Sequence, residues 1–171
     1  MTRRALLSSF AAALLLMTGC AGYKVGPSNG LEAGAHSIQI NPPANQTLEP
    51  RLATELNQQL RKQLQRDGTY RLNTHGDGDV VVNTTIVRYQ RLGATFQRRD
   101  TLTVRDYTIH LDAQVSAYDR VSGRNLINRE FHGRTTVRVG GDEASAERQA
   151  LPLLTEDLAR NITSALVDGA W

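Results

Sequence analysis

Leucines recur at every fourth residue along the segment 49–65, at Leu52, Leu56, Leu60 and Leu64. This spacing places them on one face of a helix, while charged and amide side chains occupy the opposite face. The pattern therefore predicts an amphipathic helix that packs on a sheet. Thr47 is the predicted N-cap, and Asp67-Gly68 is the predicted end because glycine readily adopts a left-handed conformation.

A second apolar stripe near the C-terminus predicts another helix, which Asp142 is expected to cap. Pro152 lies inside this segment, so it is expected either to kink the helix or to begin a new segment in its first turn. The stripe consists of Leu151, Leu154, Leu158, Ile162 and Ala165 or Leu166.

Between the helices the chain has the pattern of β-strands. Along residues 103–118 the odd positions from 107 to 117 are aromatic or aliphatic, and the even positions are polar, which predicts a strand with one buried face. Further strands are predicted at 36–40, 69–73, 79–92 and 124–139, with a polar tip at 93–102 and a hairpin loop at 119–123. Together these elements predict an α+β fold, a two-layer α/β sandwich in which two helices pack on one face of a mostly antiparallel sheet of about four strands.

Residues 1–19 have the features of a bacterial signal peptide. Arg3 and Arg4 precede an almost wholly apolar stretch of 13 residues, which at roughly 1.5 Å per residue is too short for a hydrocarbon core of about 30 Å. The residues around the expected cleavage site, Met17-Thr18-Gly19-Cys20, resemble the lipobox of bacterial lipoproteins. We therefore expect cleavage before Cys20, a diacylglycerol thioether and an N-acyl chain on this residue, a flexible tether over 20–35 and a single domain over 36–171. A simple secretory signal with an incidental cysteine is the alternative.

Composition narrows the possible functions. Cys20 is the only cysteine, which excludes an intrachain disulfide and a multi-cysteine metal cluster. The formal net charge of +3 becomes +1 once Arg3 and Arg4 are removed with the signal peptide. A nucleic-acid partner is therefore not expected, on the ground of compartment more than of charge.

The order of features resembles the lipopolysaccharide-assembly lipoprotein LptE family. The resemblance implies a non-catalytic lipoprotein, anchored on the periplasmic face of the outer membrane, that helps the β-barrel protein LptD assemble, plugs it and helps deliver lipopolysaccharide to the outer leaflet. No cofactor is implied beyond the lipid on Cys20. Ala21, where an aspartate would signal retention, agrees with sorting to the outer membrane. The matching segments are Cys20-Ala21-Gly22-Tyr23, 45–52, 56–64, 67–68, 79–89, 103–118, 157–160 and Trp171.

Five arginines between residues 88 and 105 form the candidate binding patch for lipopolysaccharide. With Asp100 as the single acidic residue there, the local charge is +4, and guanidinium groups suit phosphate oxygens. The alternative is that these arginines keep a sheet edge soluble. The candidates are Arg88, Arg91, Arg98, Arg99 and Arg105, with Arg98 and Arg99 favoured at the exposed tip.

The sequence carries no nucleophile elbow, zinc-protease pair, phosphate loop or dinucleotide fingerprint. His110 and Asp112 share one face of a predicted strand, and His132 is able to lie across from them. Such residues on a solvent-exposed face usually have no function beyond solubility. Neither catalysis nor a metal is therefore expected. The competing interpretation is a stand-alone periplasmic lipoprotein that binds cell-wall glycan or another envelope protein.

Overall fold

The computed structural model describes residues 34–97, 100–139 and 142–168, with the side chains of all of these except 94–97 and 100–105. Both predicted helices and every predicted strand are present, and one short strand is additional. In chain order the elements are β1 (His36–Ile40), β2 (Ala44–Asn45), α1 (Arg51–Asp67), β3 (Tyr70–Asn73), β4 (Val80–Gln97), β5 (Asp100–Asp119), β6 (Arg124–Arg138) and α2 (Glu143–Asp168).

The strands form one mixed sheet in the order β3-β1-β4-β5-β6, and β2 pairs with β4 beyond the end of β1. β4, β5 and β6 are antiparallel, whereas β1 runs parallel to β3 and to β4. The predicted sheet of about four mostly antiparallel strands is thus corrected to a mixed sheet of six. Parallel pairing of β1 and β3 is possible because α1 lies between them and carries the chain back across the sheet.

The alternation predicted for β5 is confirmed. Its odd positions from Tyr107 to Ala117 are at most 4% exposed and form one side of the core. Both helical stripes cover this side: the four leucines of α1 are at most 1% exposed, and Leu154, Leu158, Ile162 and Leu166 of α2 are fully buried. The α+β sandwich with both helices on one face is therefore confirmed, and the even positions of β5 face away from the helices.

The two helices run in the same direction. Their first turns line one cleft of about 790 Å³, and their last turns line another at the opposite end. At its start α1 differs from the prediction: Pro50 is the N-cap residue and provides no side-chain hydrogen bond. Thr47 instead donates its hydroxyl to Asn45 Oδ1, at 2.8 Å, in the preceding loop. The Thr47 hydroxyl oxygen accepts from the backbone N–H of Glu49 at 3.4 Å, within the loop, because the helix begins only at Arg51.

The other helix ends agree with the sequence analysis. Gly68 has φ of 77° and its backbone N–H donates to the carbonyl oxygen of Leu64. Asp142 caps α2 by accepting from the backbone N–H of Ala144 at 3.1 Å. Pro152 lies within α2, which continues through it. None of the helices in the described part of the chain is long and apolar enough to cross a membrane.

The β4–β5 hairpin is longer than predicted. In place of a polar tip over 93–102, β4 continues to Gln97 and β5 begins at Asp100, and these two residues are paired. The segments 94–97 and 101–104 contain threonine, phenylalanine and valine, which favour extended pairing over an open loop. Because β6 pairs with β5 only from Asp106 onward, the end of this hairpin is a two-stranded extension of the domain.

At Gly133 in β6, α2 approaches the sheet closely. A methyl group added at this position would lie 2.7 Å from Leu158 Cβ and 2.9 Å from the Leu158 backbone nitrogen. These distances are shorter than any carbon contact that a relaxed core allows, so only glycine fits without displacing the helix.

We predict that Gly133→Ala lowers the free energy of unfolding by about 1–3 kcal/mol through overpacking, as measured by urea denaturation. At an open strand position the same change would raise stability, because alanine restricts the unfolded chain. Thr136→Ala, at an exposed position of the same strand, is the control and should stay within about 0.5 kcal/mol of wild type. A Gly133→Ala protein as stable as wild type would contradict this close packing.

Candidate functional site

Two of the five arginines in the predicted patch, Arg88 and Arg91, are described with their side chains, and both lie on β4 at the base of the long hairpin. Arg98 and Arg99 lie outside the described residues, as does the side chain of Arg105. The predicted lipidation site, Cys20, also lies outside them. The geometry of the site therefore rests on Arg88, Arg91 and the groups that surround them.

Arg88 and Arg91 are three residues apart in β4 and therefore lie on opposite faces of the sheet, and a β-bulge just before them decides which face each one takes. Ile86 pairs with Ala113, and the next pair joins Arg88 to Asp112, so that β4 has one extra residue at this point. Arg91 pairs with Ile109, a core position of β5. Arg88 thus lies on the face away from the helices, and Arg91 lies on the helix face.

Arg88 binds a buried carboxylate on the polar face of the sheet. Its Nη1 lies 3.2 Å from Asp112 Oδ2, and His132 Nδ1 lies 2.8 Å from Asp112 Oδ1. Asp112 is only 7% exposed, so its charge depends on these partners for compensation. The arginine and the histidine together engage both oxygens of this carboxylate.

Arg91 connects the hairpin to the start of α2. Its Nη1 donates to Glu143 Oε1 at 2.9 Å, and its Nε and Nη2 donate to the two carboxylate oxygens of Glu147. The Glu147 side chain is 12% exposed, against 50% for Glu143. The contact with Glu147 is therefore a bidentate ion pair between a half-exposed guanidinium, 53% exposed, and a largely buried carboxylate, and bidentate pairs are the stronger kind of charge-assisted hydrogen bond.

Two tyrosines complete the surroundings of Glu147. The hydroxyls of Tyr89 and Tyr107 both donate to its carboxylate, Tyr107 over 3.3 Å, and the Arg91 guanidinium lies 5.6 Å from the centroid of the Tyr107 ring. Burial, followed by the charge of Glu147, raises the pKa of Tyr107 to about 12. The pKa of Tyr89 is also raised, by burial first and by its hydrogen bond to Glu147 second. Both phenols therefore remain hydrogen-bond donors at neutral pH.

These contacts reduce the availability of Arg88 and Arg91 to a phosphate group. Arg88 and Arg91 already bind carboxylates, and they do so on different sides of the sheet. A phosphate that approaches either one must compete with Asp112 or with Glu147. The sequence analysis did not identify Glu147 or the two tyrosines, because acidic residues in the first turns of a helix are expected there for the helix dipole alone.

The polar face of the sheet is lined with amide side chains, which form short hydrogen-bonded rows. Asn41 receives a bond from Gln39, at 2.7 Å, and donates one to Asn83, at 2.8 Å, while Gln114 donates to Asn128 at 3.0 Å. Both helices pack on the other side. Within the described part of the chain this face is therefore ordered, polar and uncovered.

Of the three residues considered as a metal cluster, His110, Asp112 and His132, the structure brings only Asp112 and His132 together. His132 lies directly across from Asp112, as considered, whereas His110 pairs with Gln90 and Arg134. Glu130, which the sequence analysis did not include, joins the first two: ligand atoms of Asp112, Glu130 and His132 all lie within 4.8 Å of one another. Glu130 precedes His132 by two residues on the same strand, a spacing that keeps both on one face.

Comparison with known proteins gives one family match. The family model described as LptE, lipopolysaccharide-assembly, matches residues 35–166, a range that begins just before β1 and ends near the last turn of α2. A search of curated proteins found no significant match.

Several solved structures share the fold. Protein XCC0632 from Xanthomonas campestris is 8% identical with a TM-score of 0.60, covering 85% of this chain and 91% of that chain. The hypothetical protein CT253 from Chlamydia trachomatis is 10% identical with a TM-score of 0.57, covering 77% and 95%. A minor lipoprotein from Acinetobacter baumannii is 14% identical with a TM-score of 0.51, covering 77% and 92%. At these identities the likeness shows the fold alone.

We predict that Glu147→Gln, which keeps the shape of the side chain and removes its charge, lowers the free energy of unfolding by about 1–3 kcal/mol. The bidentate bond to Arg91 is lost and the two phenols lose a charged acceptor. Urea denaturation at neutral pH measures the effect. Glu143→Gln breaks only an exposed ion pair and should cost less than about 1 kcal/mol.

The same pair of variants has a spectroscopic readout. In Glu147→Gln the pKa of Tyr107 should fall below its value of about 12, and in Glu143→Gln it should fall less, as followed by ¹³C NMR of the tyrosine rings and assigned with Tyr107→Phe. Equal effects of the two substitutions on stability and on this pKa would show that Glu147 is not the centre of the cluster.

Proposed function

The chain belongs to the LptE family of lipopolysaccharide-assembly proteins, and on this premise we propose that it helps the outer-membrane β-barrel LptD assemble, plugs that barrel and helps deliver lipopolysaccharide to the outer leaflet. The family match supports an envelope lipoprotein of the LptE fold. The proposed role is performed by binding alone, without catalysis. The observation that carries it is the family match, which includes every element from β1 to α2.

The polar face of the sheet supports the role of a plug. A protein seated in a water-filled barrel needs a rigid surface that tolerates both water and polar wall residues. The amide rows of Gln39, Asn41 and Asn83 and of Gln114 and Asn128 have this character. Amide groups both donate and accept hydrogen bonds, so they are able to contact polar side chains of either kind.

The long hairpin supports contact with a partner or a ligand. Among the described residues, only β4 and β5 continue from Asp106 toward the end of the hairpin, and an isolated pair of strands is marginally stable in water. The end of the hairpin therefore benefits from a surface that packs against it. Arg98 and Arg99 lie in sequence between the two strands, and we propose that they bind the phosphates of lipopolysaccharide, with Arg105 nearby in sequence.

The proposed lipid anchor on Cys20 fits the location. The 13 residues that separate it from Gly34 are able to span up to about 45 Å at roughly 3.4 Å per residue. This reach lets the folded domain sit at a barrel while the acyl chains remain in the periplasmic leaflet of the outer membrane. Three acyl chains would make the attachment effectively permanent.

We predict that the tagged, acylated protein, extracted from its own outer membrane in mild detergent, brings with it a large β-barrel in stoichiometric amount. In cells depleted of that barrel the protein should become scarce, because a folded partner stabilises it by mass action. The measurement is mass spectrometry of the purified complex together with immunoblotting of the depleted cells.

The opposite result favours the competing interpretation. If no barrel accompanies the protein, and the protein stays folded and abundant after depletion, the role in lipopolysaccharide export is contradicted. A stand-alone lipoprotein that binds cell-wall glycan or another envelope protein through the polar face would then be the better description.

We also predict that Arg98→Glu combined with Arg99→Glu weakens lipopolysaccharide binding by at least about tenfold, because each charge-assisted bond contributes roughly 1.5–3 kcal/mol. Titration at moderate salt measures this. The control is Arg66→Glu combined with Arg124→Glu, which changes the net charge equally at exposed positions in α1 and β6. Equal affinity of the two double variants would assign the tip arginines to solubility.

A further inference from the structure

The cluster of Asp112, Glu130 and His132 lies on the polar face of the sheet, where β5 pairs with β6. Asp112 and His132 are directly opposite each other in the ladder, and Glu130 lies two residues before His132 on the same face. One carboxylate oxygen from each acid and one imidazole nitrogen lie within 4.8 Å of one another. Three potential ligands thus converge from two hydrogen-bonded strands, whose backbone fixes their separation.

Asp112 is the preorganised member of this cluster. It is 7% exposed, Arg88 holds its Oδ2 at 3.2 Å, and its Oδ1 lies 2.8 Å from His132 Nδ1. Ligating carboxylates are commonly oriented in this way, by a second group on the oxygen that does not face the metal. Arg88 therefore fixes the rotamer of Asp112 and leaves Oδ1 directed toward the histidine.

We propose that Asp112, Glu130 and His132 bind a divalent transition-metal ion, for which Zn²⁺ is the representative probe. One imidazole and two carboxylates form a ligand set typical of zinc and its neighbours, whereas Mg²⁺ and Ca²⁺ prefer sites made of oxygen alone. Water would fill the remaining positions. On binding, the ion takes the place of the proton between Asp112 Oδ1 and His132 Nδ1, and the neutral imidazole carries its proton on Nε2.

The charge balance and the exposure of the cluster agree with this assignment. Two carboxylates opposed by one guanidinium leave a net negative charge for a cation to neutralise. The His132 side chain is 68% exposed and Glu130 is exposed, so both are able to adjust to a metal while Asp112 stays fixed. A bound ion would join β5 to β6 through their side chains, in addition to the backbone ladder. This site is independent of the function proposed above.

The test is a calorimetric titration of Zn²⁺ into the full chain, purified in detergent and freed of metal with a chelator. We expect one equivalent to bind in wild type and affinity to fall at least about tenfold in both His132→Asn and Glu130→Gln. The matched control is His110→Asn, which removes a histidine from the same face of β5 outside the cluster and should leave the affinity unchanged. Mg²⁺ should not displace the bound Zn²⁺.

Thermal melting provides a second readout and a check on folding. Without metal, His110→Asn should melt at the same temperature as wild type, and His132→Asn should melt somewhat lower, because Asp112 loses one of its two partners. Excess Zn²⁺ should raise Tm in wild type and in His110→Asn, and not in His132→Asn. The proposal is overturned if wild type shows no saturable binding, or if His132→Asn binds Zn²⁺ and gains Tm as wild type does.

Discussion

The extra residue in β4 between Ile86 and Arg88 decides which way the side chains of residues 88–92 face. Before this bulge, alternate residues such as Val82 and Ile86 lie in the core. Without it, the same alternation would direct Arg88 toward the helices. The bulge reverses the pattern, so that Arg88 reaches Asp112 while Tyr89 and Arg91 turn to α2.

The ion-pair cluster around Glu147 depends on this reversal. Arg91 and the two phenols converge on one carboxylate because they come from neighbouring strands on the same face. The cluster joins the base of the hairpin to the first turns of α2, while Gly133 and Leu158 join the same helix to β6. Helix α2 is therefore held against the three antiparallel strands by a polar contact at one end and by close apolar packing farther along.

The sequence predicts the layers of this fold better than its connections. The stripe of α1 and the alternation of β5 follow from burial with a fixed period, and both are confirmed. The bulge, the two-residue β2 and the parallel neighbours of β1 depend on contacts between distant segments, which no local period encodes. At the site, Arg88 and Arg91 were identified by charge, but their ionic partners were not, because Glu147 lies 56 residues beyond Arg91 along the chain. Whether the five arginines bind lipopolysaccharide stays a prediction.

The pairing of Arg88 and Arg91 bears on how such a domain would handle an anionic lipid. An arginine that already holds a buried carboxylate gains little from a phosphate, since the incoming bond replaces one of similar strength and leaves the carboxylate uncompensated. The base of the hairpin therefore keeps its charges for structure, which agrees with the proposal that Arg98 and Arg99, next after β4 in sequence, contact the lipid.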